Sequence, residues 1–286
     1  MKKWKFFLIF LLIIAISGLY LALKNKPQKL EEQMVHTVPV KQDVGKNDIV
    51  FTDVKTTEEL KNLFKDARYD KMPKIFIRRF PDDFAQKGNP ALFAAVLLPH
   101  LLHQNELLEN ERDAFIALND KIRNGEPFTQ SEEAFWNELV MKYEVLNPDK
   151  DGQKETLYNR VDCISPSLAV AQALEATDLA TKDFDAPFGV RRWNDKKEYD
   201  FVHYANLSDA VSDYALELNR GRSYFPFHVM RTVQRSSIRH PLLGRSFAKA
   251  LAYYKIEDSA YTNKLDKIFE RYKIQELDES KFEEEK

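Results

Sequence analysis

Apolar positions along this chain fall into three regimes. Residues 6–23 are apolar without a break and carry no charge. Residues 24–55 mix polar and apolar positions with little helical period. From residue 56 onward apolar positions recur every three to four residues, the spacing of amphipathic helices. "TTEELKNLFKDARY" opens the third regime. Thr56 and Glu59 make a capping-box pattern ahead of Leu60, Leu63 and Phe64. A long periodic run follows from Pro90, capped by Asn89, interrupted or kinked at Pro99 and stopped at Gly125. "TQSEEAFWNELVMKYEV" predicts another helix behind a Thr129/Glu132 box, and "LSDAVSDYALELNR" one behind Ser208. Residues 167–182 differ from all of these. Leu168 and Leu179 fall on one side of their helical wheel, Val170 and Leu174 on the other. A helix apolar nearly all round runs through the middle of a domain. Strand signals are few, "NDIVFTDV" being one. The fold expected is mainly α.

The first regime concerns location. Lys2, Lys3 and Lys5 precede the apolar run, whose 18 residues approach the ~20 that a helix needs to cross a bilayer. Ala15-Ile16-Ser17 resembles a signal-peptide cleavage site, but Leu19 to Leu23 continue the run beyond it. The expectation is an uncleaved anchor at 1–23, with a cleaved signal as the alternative. A tether and leading helix follow at 24–71 and a helical domain at 72–274. An acidic, solvated tail fills 275–286.

Composition narrows the classes. The chain has 286 residues, 44% of them hydrophobic, enough for a real core. Its 43 basic and 45 acidic residues leave a formal charge of −2, so nothing in the balance points to nucleic acid. A lone cysteine, Cys163, excludes an internal disulfide.

Candidate chemistry is sparse. His100 and His103 share a helix face with Glu106 one step along, a spacing that suits a metal. No second histidine cluster completes the set, so a wet helix edge is expected and no metal or cofactor. Cys163 has no specified base and is expected to be a small buried hydrophobe. Arg191 and Arg192 beside Trp193 suit an anion or a sugar face. Glu175 and Asp178 lie in the otherwise apolar central helix, where a carboxylate needs a cleft, a partner or a function.

"LYNRVDCISPSLAVAQAL" resembles the approach to the catalytic helix of Bax-type glucosaminidase domains, lysozyme-like hydrolases of peptidoglycan. The likeness continues upstream in "MPKIFIRRFPDDFAQ" and "LLPHLLHQNELLENER". Downstream it continues in "SDAVSDYALELNRGRSYFPFHVMR" and "GRSFAKALAYYKIEDSAYTNKL", and so covers most of 72–274. The resemblance implies a lysozyme-like fold behind the N-terminal helix and a bacterial envelope protein. That protein is anchored in the inner membrane, with its domain on the periplasmic side. Its partners are then peptidoglycan glycan strands or an envelope protein, and Gln172, Trp193, Tyr214 and Tyr224 are the expected glycan-binding residues.

The family helix reads A-Q-A-x-x-E-S-G/A-W-G-T-S-x-F. Laid without gaps, Gln172 and Phe184 match its glutamine and phenylalanine. The catalytic glutamate then falls on Ala176, and S-G-W-G becomes Thr177, Asp178, Leu179, Ala180. Glu175 stands one residue early, about 100° around a helix. Glycosidic cleavage needs a proton donor at the leaving oxygen, and alanine cannot supply one. The expectation is a catalytically impaired relative that binds glycan or protein. The alternative is an active β-N-acetylglucosaminidase with Glu175 or Asp178 as its acid.

Overall fold

A computed structural model describes residues 49–147, 149–193, 198–237, 242–253 and 259–284, all within one compact unit. The apolar run at 6–23 lies outside these residues. Among the described residues no helix is long and apolar enough to cross a membrane.

The fold is mainly α, as the periodicity predicts. In chain order it comprises β1 (Phe51–Thr52), α1 (Thr57–Leu63), β2 (Phe76–Ile77), α2 (Phe84–Lys87) and α3 (Pro90–Asn124). Then come α4 (Gln130–Lys142), α5 (Lys150–Arg160), α6 (Pro166–Ala176), β3 (Arg191–Trp193) and β4 (Tyr199–Phe201). The chain closes through α7 (Leu207–Arg220), α8 (Phe225–Ser237), α9 (Gly244–Ala248), α10 (Ser259–Tyr272) and a 3₁₀ turn at Ile274–Glu279. β1 pairs with β2 in parallel and β3 with β4 antiparallel, Arg192 opposite Asp200.

Several helix boundaries are local chemistry. Asn89 caps α3 by accepting from the Leu92 N–H, and Gly125 ends it in the left-handed region at φ 71°. Thr129 and Glu132 form the reciprocal box at α4. At α1 only half the predicted box forms, because the Glu59 carboxylate accepts from the Lys55 N–H, one residue early. Pro99 lies inside α3 and does not divide it. Asn206, not Ser208, caps α7, accepting from the Asp209 N–H. The Ser208 hydroxyl instead faces His100 Nδ1 at 2.7 Å.

Two apolar clusters organise the body. The larger gathers Leu60, Phe64, the N-terminal half of α3, α6, α7, Phe247, Leu265, Phe269 and Leu277. The smaller packs Phe115 and Leu118 of α3 against Trp136, Leu139, Tyr143 and Leu157. At 1.5 Å per residue α3 is about 50 Å long, which lets it serve both.

Two expectations are corrected here. The central helix is short. It runs Pro166–Ala176, not to residue 182, because the Thr177 hydroxyl folds back on the Ala173 carbonyl at 2.7 Å and accepts from the Ala180 N–H. The chain then turns through φ values of 50°, 60° and 67° at Asp178, Leu179 and Ala180. The acidic tail is also not free. Leu277 is fully buried, and the Asp278 carboxylate accepts from the Ser165 and Ser167 hydroxyls and from the Ser167 and Gly244 N–H groups at 2.6–3.0 Å. Aspartate at the start of α6 satisfies donors that the helix leaves orphaned.

Candidate functional site

α6 is the axis of the larger cluster. Pro166 occupies its first turn and Ser165 caps it. From Ser167 to Ala171, and again at Ala173 and Leu174, it is buried, so only Gln172, Glu175 and Ala176 keep partial exposure.

The "RVDC" segment before it is pinned by charge. Asp162 is 1% exposed and faces Arg235 at 2.5 Å, Arg231 at 3.5 Å and Arg112 at 3.6 Å. Burial opposes its charge, yet these arginines outweigh burial and hold the carboxyl below its usual range. Arg231 also donates to the Cys163 carbonyl and to Asn219 Oδ1. Cys163 is buried and its thiol is pushed up by that burial, as suits a packing residue.

The residues singled out in the sequence separate into three places. Gln172 is clamped. Its Oε1 accepts from the Tyr214 hydroxyl at 2.7 Å and its Nε2 donates to the Tyr261 hydroxyl at 2.8 Å. Tyr214 is 4% exposed and stacks on Phe188 at 4.3 Å. Tyr224 is buried against Gly221, where a Cβ would meet its ring at 2.6 Å. These two tyrosines are held by packing.

Glu175 and Ala176 occupy the end of α6. The Glu175 carboxylate pairs with Lys264 of α10 at 3.0 Å. Ala176 faces the Gly189 turn: a Cβ built on Gly189 would stand 3.4 Å from the Ala176 Cβ and 3.7 Å from the Phe201 ring. Asp178 is not on the helix at all. It is exposed in the left-handed turn that follows.

Trp193 is the third place. On β3 it is 71% exposed and stands 5.5 Å from the ring of Tyr199, itself 52% exposed. The hairpin base is fixed by Asp213 of α7, which accepts from both Arg192 and the Tyr204 hydroxyl. Arg191 lies 4.1 Å over the Phe201 ring.

His100 and His103 both set their rings edge-on to Phe76, at 5.4 and 5.5 Å. Burial pushes His100 down to about 3. Among the described residues no three His, Cys, Asp or Glu side chains gather as metal ligands would.

Sequence reading missed Lys264, Tyr261 and Asp213. Each meets its partner from a different helix, so no local signal marks it. It also missed a cavity of about 410 Å³ beside the turn after α6, lined by Arg79, Phe80, Asp82, Lys182, Phe184 and Tyr204 among others. Glu175, Ala176 and Trp193 do not line it. Comparison of the chain with family models, with curated proteins and with solved structures finds no match.

Proposed function

We propose that this chain is a non-catalytic relative of the lysozyme-like glucosaminidases that binds envelope glycan. On this reading its N-terminal segment holds it at the bacterial inner membrane, with the domain on the exported side. The carrying observation is the end of α6. The position of the family acid is Ala176, set against Gly189 and Phe201, while the neighbouring carboxylate of Glu175 is tied to Lys264. A general acid must lie within roughly 2.6–3.2 Å of the oxygen it protonates. Neither alanine nor an ion-paired carboxylate on another face of the helix meets that condition. Asp178 stands exposed in the turn beyond the helix, off the face that carries the position of the family acid.

Glycan binding has its own support. Trp193 and Tyr199 present a pair of exposed rings on a short hairpin braced by Asp213, and sugars stack on such faces. Two measurements test the reading. The purified full chain is expected to give no clearing in a peptidoglycan zymogram, and to be retained on peptidoglycan until Trp193→Ala is introduced. Robust hydrolysis abolished by Glu175→Gln would replace this reading with that of an active glucosaminidase. Fractionation tests the location: recovery as a soluble, shortened protein would indicate cleavage near Ser17.

A further inference from the structure

The cavity beside the turn after α6 carries charges of both signs that do not pair with one another. Arg79 donates its Nε to the Ala205 carbonyl at 2.7 Å, which fixes the guanidinium. Its terminal nitrogens, the Lys182 ammonium and the Asp82 carboxylate form no ion pair or hydrogen bond among the described residues. All three line the same space. Some exposed charges on this protein are paired, as Arg78 is with Asp53 and Lys87 with Asp83, and others are not; these three are set apart by lining one cavity together. Unpaired opposite charges around one cavity leave room for a ligand that brings its own carboxylate and its own ammonium.

The walls add shape. Phe80 and Phe184, tilted at 5.2 Å, and Tyr204 line the same cavity and give it apolar surface as well as charge. Its volume of about 410 Å³ falls within the usual range for small-molecule pockets, about 300–1,000 Å³. One wall comes from a stretch whose neighbouring residues have unusual backbone. Asp178, Leu179, Ala180 and Asp183 all have φ between 50° and 67° without being glycine, and Thr181, Lys182, Phe184 and Asp185 of the same stretch line the cavity. Strain of this kind persists where surroundings over-determine it, and it concentrates at ligand sites. The Phe80, Phe84 and Phe93 rings that seat Phe184 supply that constraint here.

We infer that this cavity binds a short zwitterionic peptide, its carboxylate on Arg79 and Lys182 and its ammonium on Asp82. On the glycan reading above, the source is the peptide branch of peptidoglycan. The identification of the source rests on that reading; the recognition chemistry does not. Trp193 and Tyr199 would then hold the sugar, and this cavity the peptide attached to it; since the N-terminus of an attached branch is taken up in its amide bond to the sugar, the ammonium on Asp82 is the side-chain amine of the branch's diamino acid.

The experiment is calorimetric titration of the purified full chain in mild detergent with three probes. They are the free peptide branch cut from peptidoglycan, the same peptide acetylated and amidated so that it carries no charge, and a peptide-free N-acetylglucosamine oligomer. The free peptide is expected to bind and the blocked peptide not to. Lys182→Gln and Asp82→Asn, both at exposed positions, should each weaken the free peptide by about fivefold, the worth of an exposed ion pair. Neither should change binding of the oligomer. Equal binding of blocked and free peptide, no binding of the free peptide, or indifference to both substitutions would each overturn the inference. The oligomer reports separately on the glycan reading. Peptide binding without oligomer binding would sink that reading and keep the site, and the reverse result would sink the site and keep the reading.

Discussion

Asp278→Ala should destabilise the body by about 3 kcal/mol. The side chain comes from a stretch whose composition suggests a loose acidic end, "QELDESKFEEEK". In the fold its Oδ1 accepts from the Ser165 hydroxyl at 2.6 Å and the Ser167 N–H at 3.0 Å, and its Oδ2 from the Ser167 hydroxyl at 2.7 Å and the Gly244 N–H at 2.8 Å. After truncation the two hydroxyls can turn toward each other, since they already stand 3.2 Å apart. The two backbone donors cannot. Ser167 is fully buried, and Gly244 is so tightly placed that a Cβ would lie 2.2 Å from the Ser165 Oγ. Each buried donor left without an acceptor costs about 1–3 kcal/mol, so two cost about 2–6 kcal/mol. Part of that returns, because burial pushes the Asp278 carboxyl up against the four hydrogen bonds that favour its charge, and alanine has no charge to desolvate. The assay is urea unfolding of the compact unit followed by far-ultraviolet circular dichroism, with exposed Glu279→Ala as the control expected to be neutral. A loss below about 0.5 kcal/mol, or an equal loss from Glu279→Ala, would refute the clasp and restore the solvated tail.

Asp162→Asn should cost about 3–5 kcal/mol, because it leaves Arg231 and its neighbours buried without a counter-charge. The Asp162 carboxyl is held below its usual range, so its contribution is present above the unfolded value near 3.9 and is lost as pH falls through the folded one. Unfolding free energies measured from pH 5 downward should therefore fall less steeply in the variant. His100 and His228, each pushed by burial to about 3, act at higher pH. Both stay neutral in the fold while the unfolded chain protonates near 6.5, so stability should fall from about pH 6.5 toward 3, and His100→Gln should remove part of that slope. In the turn after α6, exposed Asp178→Gly should stabilise by about 0.5 kcal/mol, because glycine adopts φ 50° without strain. Ala180→Gly should be near neutral, the strain relieved at φ 67° being offset by loss of a buried methyl, as urea midpoints would show. On the proposed kinship, Ala176→Glu should leave peptidoglycan uncut in a zymogram, since Leu179 and Ala180 still stand where that family has an aromatic residue and a glycine.

What the sequence revealed follows from how far each cause acts along the chain. Asn89, Gly125 and the Thr129/Glu132 box act within one turn, so the helix boundaries they set were legible. The buried character of α6 was legible because periodicity reports burial directly. Its end was not. A wheel drawn to residue 182 treats Leu179 as helical, whereas Thr177 diverts the chain and Phe184 is drawn to Phe80 and Phe84. Asp278 read as solvated because its partners at Ser165, Ser167 and Gly244 are remote in sequence. Glu175 stood out in the sequence, but its partner Lys264 lies 89 residues away. The cavity charges were invisible for the same reason, Asp82 and Lys182 coming to line one cavity only in the fold.

The turn after α6 bears on the proposed kinship as well as on stability. Laid without gaps, the family pattern puts glycine or alanine at Asp178 and glycine at Ala180. Here both residues adopt the left-handed backbone at φ 50° and 67°, which glycine takes at no steric cost and L-residues take at about 1–2 kcal/mol. A register shifted by one, as needed to make Glu175 the family acid, would put the second glycine at Leu179 and the tryptophan at Asp178. Leu179 is also left-handed, so the backbone alone does not choose between the registers. Phe184 does choose. In the gapless register the family phenylalanine is the ring seated among Phe80, Phe84 and Phe93, whereas a shift by one would assign it to exposed Asp183. On the kinship proposed above, the turn keeps the family's backbone and changes its side chains. On that proposal, a site that still needed its acid would keep the glutamate, the tryptophan and the strain-free glycines, whereas a fold kept for binding has no use for them, provided the surrounding phenylalanines hold the turn in place.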